Sequence, residues 1–165
     1  MTSEHLLHTI PPIYDGNSKI LILGSFPSVK SREVSFYYGH PQNRFWRVLA
    51  AVLGCAVPSS NEEKTALLHS HNIALWDVIK SCDIVGSSDS SIKNVVPNDI
   101  GTILSSCGIR QIYSNGKTSE KLFNKYIKDT VGRDTVALPS TSPANASYNL
   151  ERLTDSWSVI KNNIQ

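Results

Sequence analysis

The sequence predicts an α/β fold, a parallel sheet with helices on both faces and right-handed crossovers. Two observations carry this. Four short apolar runs, at 20–24, 72–76, 109–114 and 135–138, alternate with stretches whose apolar residues recur at helical spacing. Each run also ends in a small, polar or Pro-rich segment, as strands do where open α/β sheets bind ligands. With 40% hydrophobic and 18% charged residues, the 165-residue chain reads as one globular domain over residues 1–165.

Residues 1–19 carry His5, His8, Pro11, Pro12 and Gly16 and read as an extended segment framing the first strand. The two histidines read as exposed polar residues, with a metal role as the alternative. Residues 20–24 form a continuous apolar run suited to a strand covered on both faces. A Gly-Ser-Phe-Pro-Ser turn follows, then a polar and aromatic loop. That link is about 18 residues long, where compact αβ connections take roughly 2–6, so the excess points to function.

A helix opens at about Asn43 and places Phe45, Trp46, Leu49, Ala50, Val52 and Leu53 on one stripe; Gly54 stops it. Phe45 and Trp46 therefore read as core, with ligand contact as the alternative. Pro58-Ser59-Ser60-Asn61 caps a second helix running from Glu62 to about Ser70. The second strand, 72–76, ends at Asp77. The Ser-rich stretch Ser81–Asn94, with Asp83, Asp89 and Lys93, predicts a mobile surface loop. Pro97-Asn98-Asp99 opens a helix with Ile100, Ile103 and Leu104 inward, closed by Gly108. The third strand, 109–114, runs into Asn115-Gly116-Lys117-Thr118 and a helix carrying Leu122, Phe123, Tyr126 and Ile127. The fourth strand, 135–138, ends in Pro-Ser-Thr-Ser-Pro-Ala-Asn-Ala-Ser, before a last helix with Leu150, Leu153, Trp157 and Ile160 inward.

Several function classes drop out. The three cysteines, Cys55, Cys82 and Cys107, form no CxxC pair and fall short of the four thiolates of an iron–sulfur cluster. They are too few for a disulfide framework, and no signal peptide is expected, so a reducing cytosol is predicted. No apolar run approaches the ~18 residues of a membrane span. Asn115-Gly116-Lys117-Thr118 has the tail of a P-loop, but that motif needs glycine at 111, which is Gln. There is no GxGxxG, no GxSxG and no carboxylate–His cluster at metal spacing, so no metal or cofactor is expected. His40 is a possible base without a pairable nucleophile; a loop-holding hydrogen bond is the favoured role. The formal charge of +2 permits a local nucleic-acid patch without arguing for one.

In a parallel sheet the four strand ends share one edge. There Gly24-Ser25-Phe26-Pro27-Ser28, Trp76-Asp77, Ser114-Asn115-Gly116 and the 139–147 loop would meet. The loop offers N–H groups and hydroxyls suited to phosphate. Phe36, Tyr37 and Tyr38 offer faces for a base, with ordinary packing as the alternative for the first two. Tyr38 is favoured because Gly39 removes bulk beside its ring. Asn43 offers a fixed carboxamide, or simply a helix N-cap.

At these residues the chain resembles the uracil-DNA glycosylase superfamily: a first strand ending in Gly-x-x-Pro, then Tyr-Gly-His-Pro-x-Asn-Arg-Phe-Trp, then Leu-Pro-Ser-x-Ser-Pro. The usual catalytic Asn of the first turn is replaced by Phe26. The closer resemblance is to the hypoxanthine-DNA (DNA-deoxyinosine) glycosylase branch, which shares Gly-Ser-x-Pro-Ser, Tyr-Tyr-x-His-Pro-x-Asn-x-Phe-Trp and Leu-Trp-Asp. The resemblance spans roughly 18–160. It implies a three-layer α/β/α sandwich with a central four-stranded parallel sheet, a monomer, no metal or iron–sulfur cluster, and a cytoplasmic enzyme, nucleoid-associated in a prokaryote. Its substrate would be DNA containing a deaminated base, hypoxanthine favoured. Asn43 maps onto the catalytic Asn of that branch. Gly24, Ser25, Phe26, Tyr38, Asp77, Ser114 and Asn115 would contact the base, with a surface salt bridge the alternative for Asp77. Ser28, Lys117, Ser140, Thr141, Ser142, Pro143 and Asn145 would contact DNA, Lys117 equally reading as a solvated surface lysine. The rival readings are a broad-range uracil or mismatch glycosylase and a DNA-lesion binding module without turnover.

Overall fold

The strand Ile20–Gly24, buried along its whole length, sits at the centre of the molecule. It needs no polar face because strands flank both its edges and side chains cover both its sides. In the computed structural model, which describes residues 2–86 and 88–165, seven strands and seven α-helices follow one another. The strands are β1 (Glu4–Leu7), β2 (Ile20–Gly24), β3 (Ile73–Asp77), β4 (Ile79–Ile84), β5 (Lys93–Pro97), β6 (Gln111–Asn115) and β7 (Thr135–Leu138). The helices are α1 (Val29–Val34), α2 (Phe45–Leu53), α3 (Asn61–Ser70), α4 (Ile100–Ser106), α5 (Lys117–Tyr126), α6 (Lys128–Val131) and α7 (Leu150–Trp157).

β3, β2, β6 and β7 form the central sheet in that order, all parallel. Alternation along the strands splits the core in two. Ile20, Ile22, Ile73, Leu75, Tyr113 and Leu138 face a layer built from Phe45 and Leu49 of α2, Leu68 of α3, and Leu153 and Trp157 of α7. Leu21, Leu23, Ala74 and Ile112 face Ile100 and Ile103 of α4 and Phe123 of α5. The chain is thus the expected three-layer α/β/α sandwich around four parallel strands.

Two expectations are corrected. The stretch Ser81–Asn94 is not one mobile loop. β4 runs through its first half and β5 begins at Lys93, and together with β1 they make a second, antiparallel sheet in the order β1-β4-β5. The reason is burial: Val78, Ile79, Cys82 and Ile84 pack under the central sheet, although Lys80 and Asp83 interrupt the apolar pattern. Residues 1–19 are likewise more than a frame, since β1 pairs with β4 from Glu4 opposite Ile84 to Leu7 opposite Ser81. The long link after β2 also gains structure: Ser28 caps α1, accepting from Ser31 N at 3.1 Å. No helix among the described residues is long and apolar enough to cross a membrane.

Candidate functional site

A cleft of about 960 Å³ opens at the C-terminal edge of the central sheet. The turn after β2, the start of α1, Tyr38, Asn43, Asp77, Asn115 and the 138–148 segment line it. Parallel topology alone brings these segments together, because all four strands end there.

Asn43 stands at the mouth of α2, and its carboxamide is fixed from two sides. Oδ1 accepts from Phe45 N at 2.9 Å and from the Thr141 hydroxyl at 2.8 Å. Thr141 in turn accepts from Asn115 Nδ2 at 3.0 Å, and its backbone N–H donates to Asn115 Oδ1 at 3.1 Å. Arg44 N donates to Thr141 O at 3.0 Å. Thr141 is fully buried, so it acts as a clamp between Asn43 and Asn115 and has no surface to offer a phosphate. Arg44, not Asn43, is the N-cap of α2; the Asn43 oxygen still reaches the Phe45 N–H of its first turn while the residue lines the cleft.

Deeper in the cleft, Asp77 ends β3. It is no surface salt bridge. Its Oδ2 lies 2.8 Å from His8 Nε2, and the two side chains are 5% and 1% exposed. The His8 ring is enclosed by Phe26, Tyr37 and Trp76, with ring centroids 6.0, 6.1 and 6.5 Å away. Asp77 Oδ1 lies against Gly24: a β-carbon at Gly24 would fall 2.3 Å from it and 3.0 Å from the Tyr38 hydroxyl. Glycine there gives the carboxylate its room. Asn98 Nδ2 donates to Asp77 O at 2.9 Å and to Ile79 O at 3.1 Å, holding the β3–β4 corner in place.

Tyr38 stacks on Phe45, with ring centroids 4.1 Å apart and planes at 17°. One face of its ring is therefore taken. Its backbone lies in the left-handed region at φ 52°, and its hydroxyl is buried with no hydrogen-bond partner among the described residues. Burial, and then the negative charge of Asp77, hold both the Tyr38 and Tyr37 phenols protonated far above their ordinary range. Gly39 clears space for α1 and not for the Tyr38 ring: a β-carbon there would sit 2.7 Å from Val34 Cγ2. Tyr37 is core, its hydroxyl donating to Pro11 O at 2.8 Å. Phe26 lines the cleft with the Arg32 guanidinium 5.7 Å from its ring centroid.

The 139–147 loop is held mainly by one side chain. Arg44 Nη2 donates to Ser142 O at 2.9 Å and Asn145 O at 3.1 Å, and Nη1 donates to Tyr148 O. Within the loop, Ser142 N donates to Ser140 Oγ at 3.1 Å and Asn145 Nδ2 to Ser140 O at 3.0 Å. Pro143 and Ala144 stand exposed at the tip. Ser25, Ser28, Lys117, Ser140, Ser142, Pro143 and Asn145 all line the cleft, as does His40, whose Nδ1 accepts from Gln42 N at 3.1 Å. Ser114 does not. Its side chain is fully buried and bonded to Thr135 Oγ1 at 2.7 Å within the sheet.

Two side chains at the site were not assigned there from sequence, and His8, expected to be an exposed polar residue, is instead buried against Asp77. Arg44 sits inside the Asn-Arg-Phe-Trp run, where its charge beside a buried aromatic pair was the available signal. His8 carried none: its partner lies 69 residues away. Among the described residues no three His, Cys, Asp or Glu side chains gather as a metal site.

Comparison with known proteins bears on this geometry. The model of the uracil DNA glycosylase superfamily matches residues 11–162. A protein of Methanosarcina barkeri named hypoxanthine DNA glycosylase is 36% identical over 137 residues, covering 82% of this chain and 85% of its own length. One of the same name from Methanosarcina acetivorans is 34% identical over 152 residues, covering 91% of this chain and 94% of its own. A solution NMR structure from M. acetivorans, provisionally described as a uracil DNA glycosylase, superposes with a TM-score of 0.79 at 33% identity, covering 92% of this chain and 94% of the other. The strand-end cleft, the Asn-Arg-Phe-Trp helix start and these matches along nearly the whole chain lead to one conclusion: the chain belongs to the uracil DNA glycosylase superfamily.

Proposed function

We propose that the chain is a monofunctional DNA glycosylase that extrudes a deaminated base, hypoxanthine by preference, hydrolyses its N-glycosidic bond and leaves an abasic site. The observation that carries the reading is the fixed Asn43 carboxamide facing a cleft deep enough for a base, beside the buried carboxylate of Asp77. A base inside a duplex is out of reach, so the nucleotide must leave the stack, at a cost of a few kcal/mol that is least for a poorly paired base.

In this reading the base enters between the Gly24-Ser25-Phe26 turn and the open face of Tyr38. Asp77 accepts from the ring N–H beside a carbonyl, which hypoxanthine has at N1 and adenine lacks. Asn115 keeps Asn43 in line through Thr141. The C–N bond breaks through an oxocarbenium-like sugar, as in other glycoside cleavage. The anchored carboxamide of Asn43 lies beside the attacking water, and its oxygen, fixed by Phe45 N and the Thr141 hydroxyl, presents a pre-oriented negative dipole that favours the developing positive charge. The base leaves with the electron pair of the C–N bond and takes a proton from solvent, while water adds to C1′ and gives its surplus proton to solvent. Ser28, Lys117, Ser140, Ser142 and Asn145 hold the flanking phosphates, and Pro143 at the loop tip enters the vacated space. No Schiff-base lysine, metal or strand incision is invoked, and a monomer suffices.

The test is release of free base from oligonucleotides carrying one deoxyinosine, deoxyuridine or deoxyxanthosine, with wild type and Asn43→Ala in parallel. Hypoxanthine release that falls by about a hundredfold or more in the variant is expected, the scale of losing one pre-oriented transition-state group. Faster release of uracil would move the chain to a broad-range enzyme. Tight binding with no release of any base would leave a lesion-binding module.

A further inference from the structure

His8 stands behind the cleft, against the lining residue Asp77, and lies outside the stretch that matches the family model, which begins at residue 11. β1 carries it there. The strand pairs along β4, and His8 N closes the run by donating to Lys80 O at 2.7 Å. The next side chain inward is the His8 ring, 1% exposed, with Nε2 on Asp77 Oδ2. A histidine buried this far from solvent, among Phe26, Tyr37 and Trp76, gives up its hydration for a single partner. That partner shows its other oxygen to the cleft: Asp77 Oδ1 makes no hydrogen bond among the described contacts and belongs to a lining residue.

We propose that His8 is a positioning residue for base recognition: delivered by β1, it pins Asp77 Oδ2 and thereby presents Oδ1 as a fixed hydrogen-bond acceptor to the extruded base. The inference rests on the reading of the cleft as a base pocket and deepens it by naming the substrate class. The ligands selected are bases with a ring N–H next to a carbonyl. A base with a bare ring nitrogen at that point meets lone pair against lone pair. The physical argument is one of orientation. The Nε2–Oδ2 contact stops rotation of the carboxylate and leaves Oδ1 as the acceptor on the cleft side. Gly24 contributes by leaving Oδ1 its space.

The experiment compares single-turnover release of hypoxanthine with release of unsubstituted purine, which lacks the N1–H, from the same oligonucleotide position. Wild type, His8→Phe, His8→Gln and Asp77→Ala are assayed, with the full chain in each case. Wild type is expected to favour hypoxanthine. In His8→Phe, which fills the aromatic niche without a donor, the hypoxanthine-to-purine ratio falls by about tenfold to a hundredfold, the scale of one hydrogen bond to a charged group. His8→Gln places an amide N–H near the Nε2 position and keeps the ratio within about threefold of wild type. Adding His8→Phe to Asp77→Ala changes the ratio no further, because the two act as one unit. A merely structural role would lower both rates together and leave the ratio alone. If His8→Phe does not fold, His8→Asn, polar but too short to reach Asp77, takes its place with the same expected loss. A wild-type enzyme that releases hypoxanthine, with the ratio unchanged in the donor-less variant, overturns this inference alone. A wild type that releases no base overturns the glycosylase reading itself, and the inference with it.

Discussion

Gly24→Ala is the substitution that most directly probes the floor of the cleft. The added methyl would lie 2.3 Å from Asp77 Oδ1 and 3.0 Å from the Tyr38 hydroxyl. An ordinary carbon–oxygen contact needs about 3.3 Å or more, so roughly 1 Å must be found somewhere. The backbone conformation is not at issue, since Gly24 does not lie at positive φ. Asp77 cannot yield cheaply, because His8 Nε2 holds it at 2.8 Å in a site where both side chains are buried. Gly24 cannot yield either, because its oxygen accepts from Val78 N at 2.9 Å and it pairs with Asp77 in the sheet. Overpacking alone costs about 1–3 kcal/mol. Breaking the buried hydrogen bond between His8 and the Asp77 carboxylate costs about 1.5–3 kcal/mol more. A loss of about 3–5 kcal/mol is therefore expected, a large part of the 5–15 kcal/mol of an ordinary domain. Urea unfolding measures it: with a slope near 2 kcal/mol per molar, the midpoint falls by about 1.5–2.5 M. Gly16→Ala is the control, for a β-carbon there meets nothing within 4 Å and the expected change is within about 1 kcal/mol. A Gly24→Ala midpoint within about 0.5 M of wild type would refute the rigid-floor argument.

Other perturbations give separate readings. Arg44→Met strips the 139–147 loop of its three donor contacts; because the side chain is only half-buried and the carbonyls regain water, about 2–4 kcal/mol is expected in the same unfolding assay. Arg44→Lys should recover little of it, since an ammonium cannot fork across three carbonyls. Tyr38→Phe removes a buried hydroxyl that has no partner among the described residues and should raise stability by about 1–2 kcal/mol while base release stays within about threefold; release lost as fully as in Tyr38→Ala would show that the hydroxyl, not the ring, matters. Acid weakens the smaller sheet. Hydrogen bonds from Asn94, then His5, hold the Asp83 carboxyl below the usual carboxylate range. Its folded value is depressed, so its contribution is present above the unfolded value and fades as pH falls through the folded one. Amide protection factors in β1 and β5, with intrinsic exchange divided out, should fall in that window in wild type and stay level there in Asp83→Asn.

Much of this molecule was legible from its residues, for reasons that also mark where legibility ends. β2 and β3 announce themselves as unbroken apolar runs because both of their faces are covered. The strand-end cleft follows from parallel topology, and the Asn-Arg-Phe-Trp and Pro-Ser-Thr-Ser-Pro runs are local patterns. The second sheet is a different matter. β4 mixes Cys82 and Ile84 with Lys80, Ser81 and Asp83, and its partner β1 lies more than seventy positions away, so only pairing reveals it as a strand. The same distance hides His8. Thr141 reads as one hydroxyl among several in its loop; its burial, which turns it from a surface contact into a clamp, depends on α2 and β6 closing over it. Ser114 misleads in the opposite sense, since a strand-end serine points to either side of the sheet according to register, and here it points at Thr135.

The clamp on Asn43 has a consequence for how the protein comes into being. Asn43 and Thr141 are 98 positions apart, and Arg44 reaches still further, to Tyr148. A ribosome extends the chain from the N-terminus at about 5–20 residues per second, so several seconds separate the emergence of the two halves. During that interval the carboxamide has no hydroxyl to hold it and the 139–147 loop does not yet exist. The nascent chain can assemble β2, β3 and much of its core, yet it has no finished cleft. Synthesis itself thus keeps the centre unassembled until nearly the last helix has been translated.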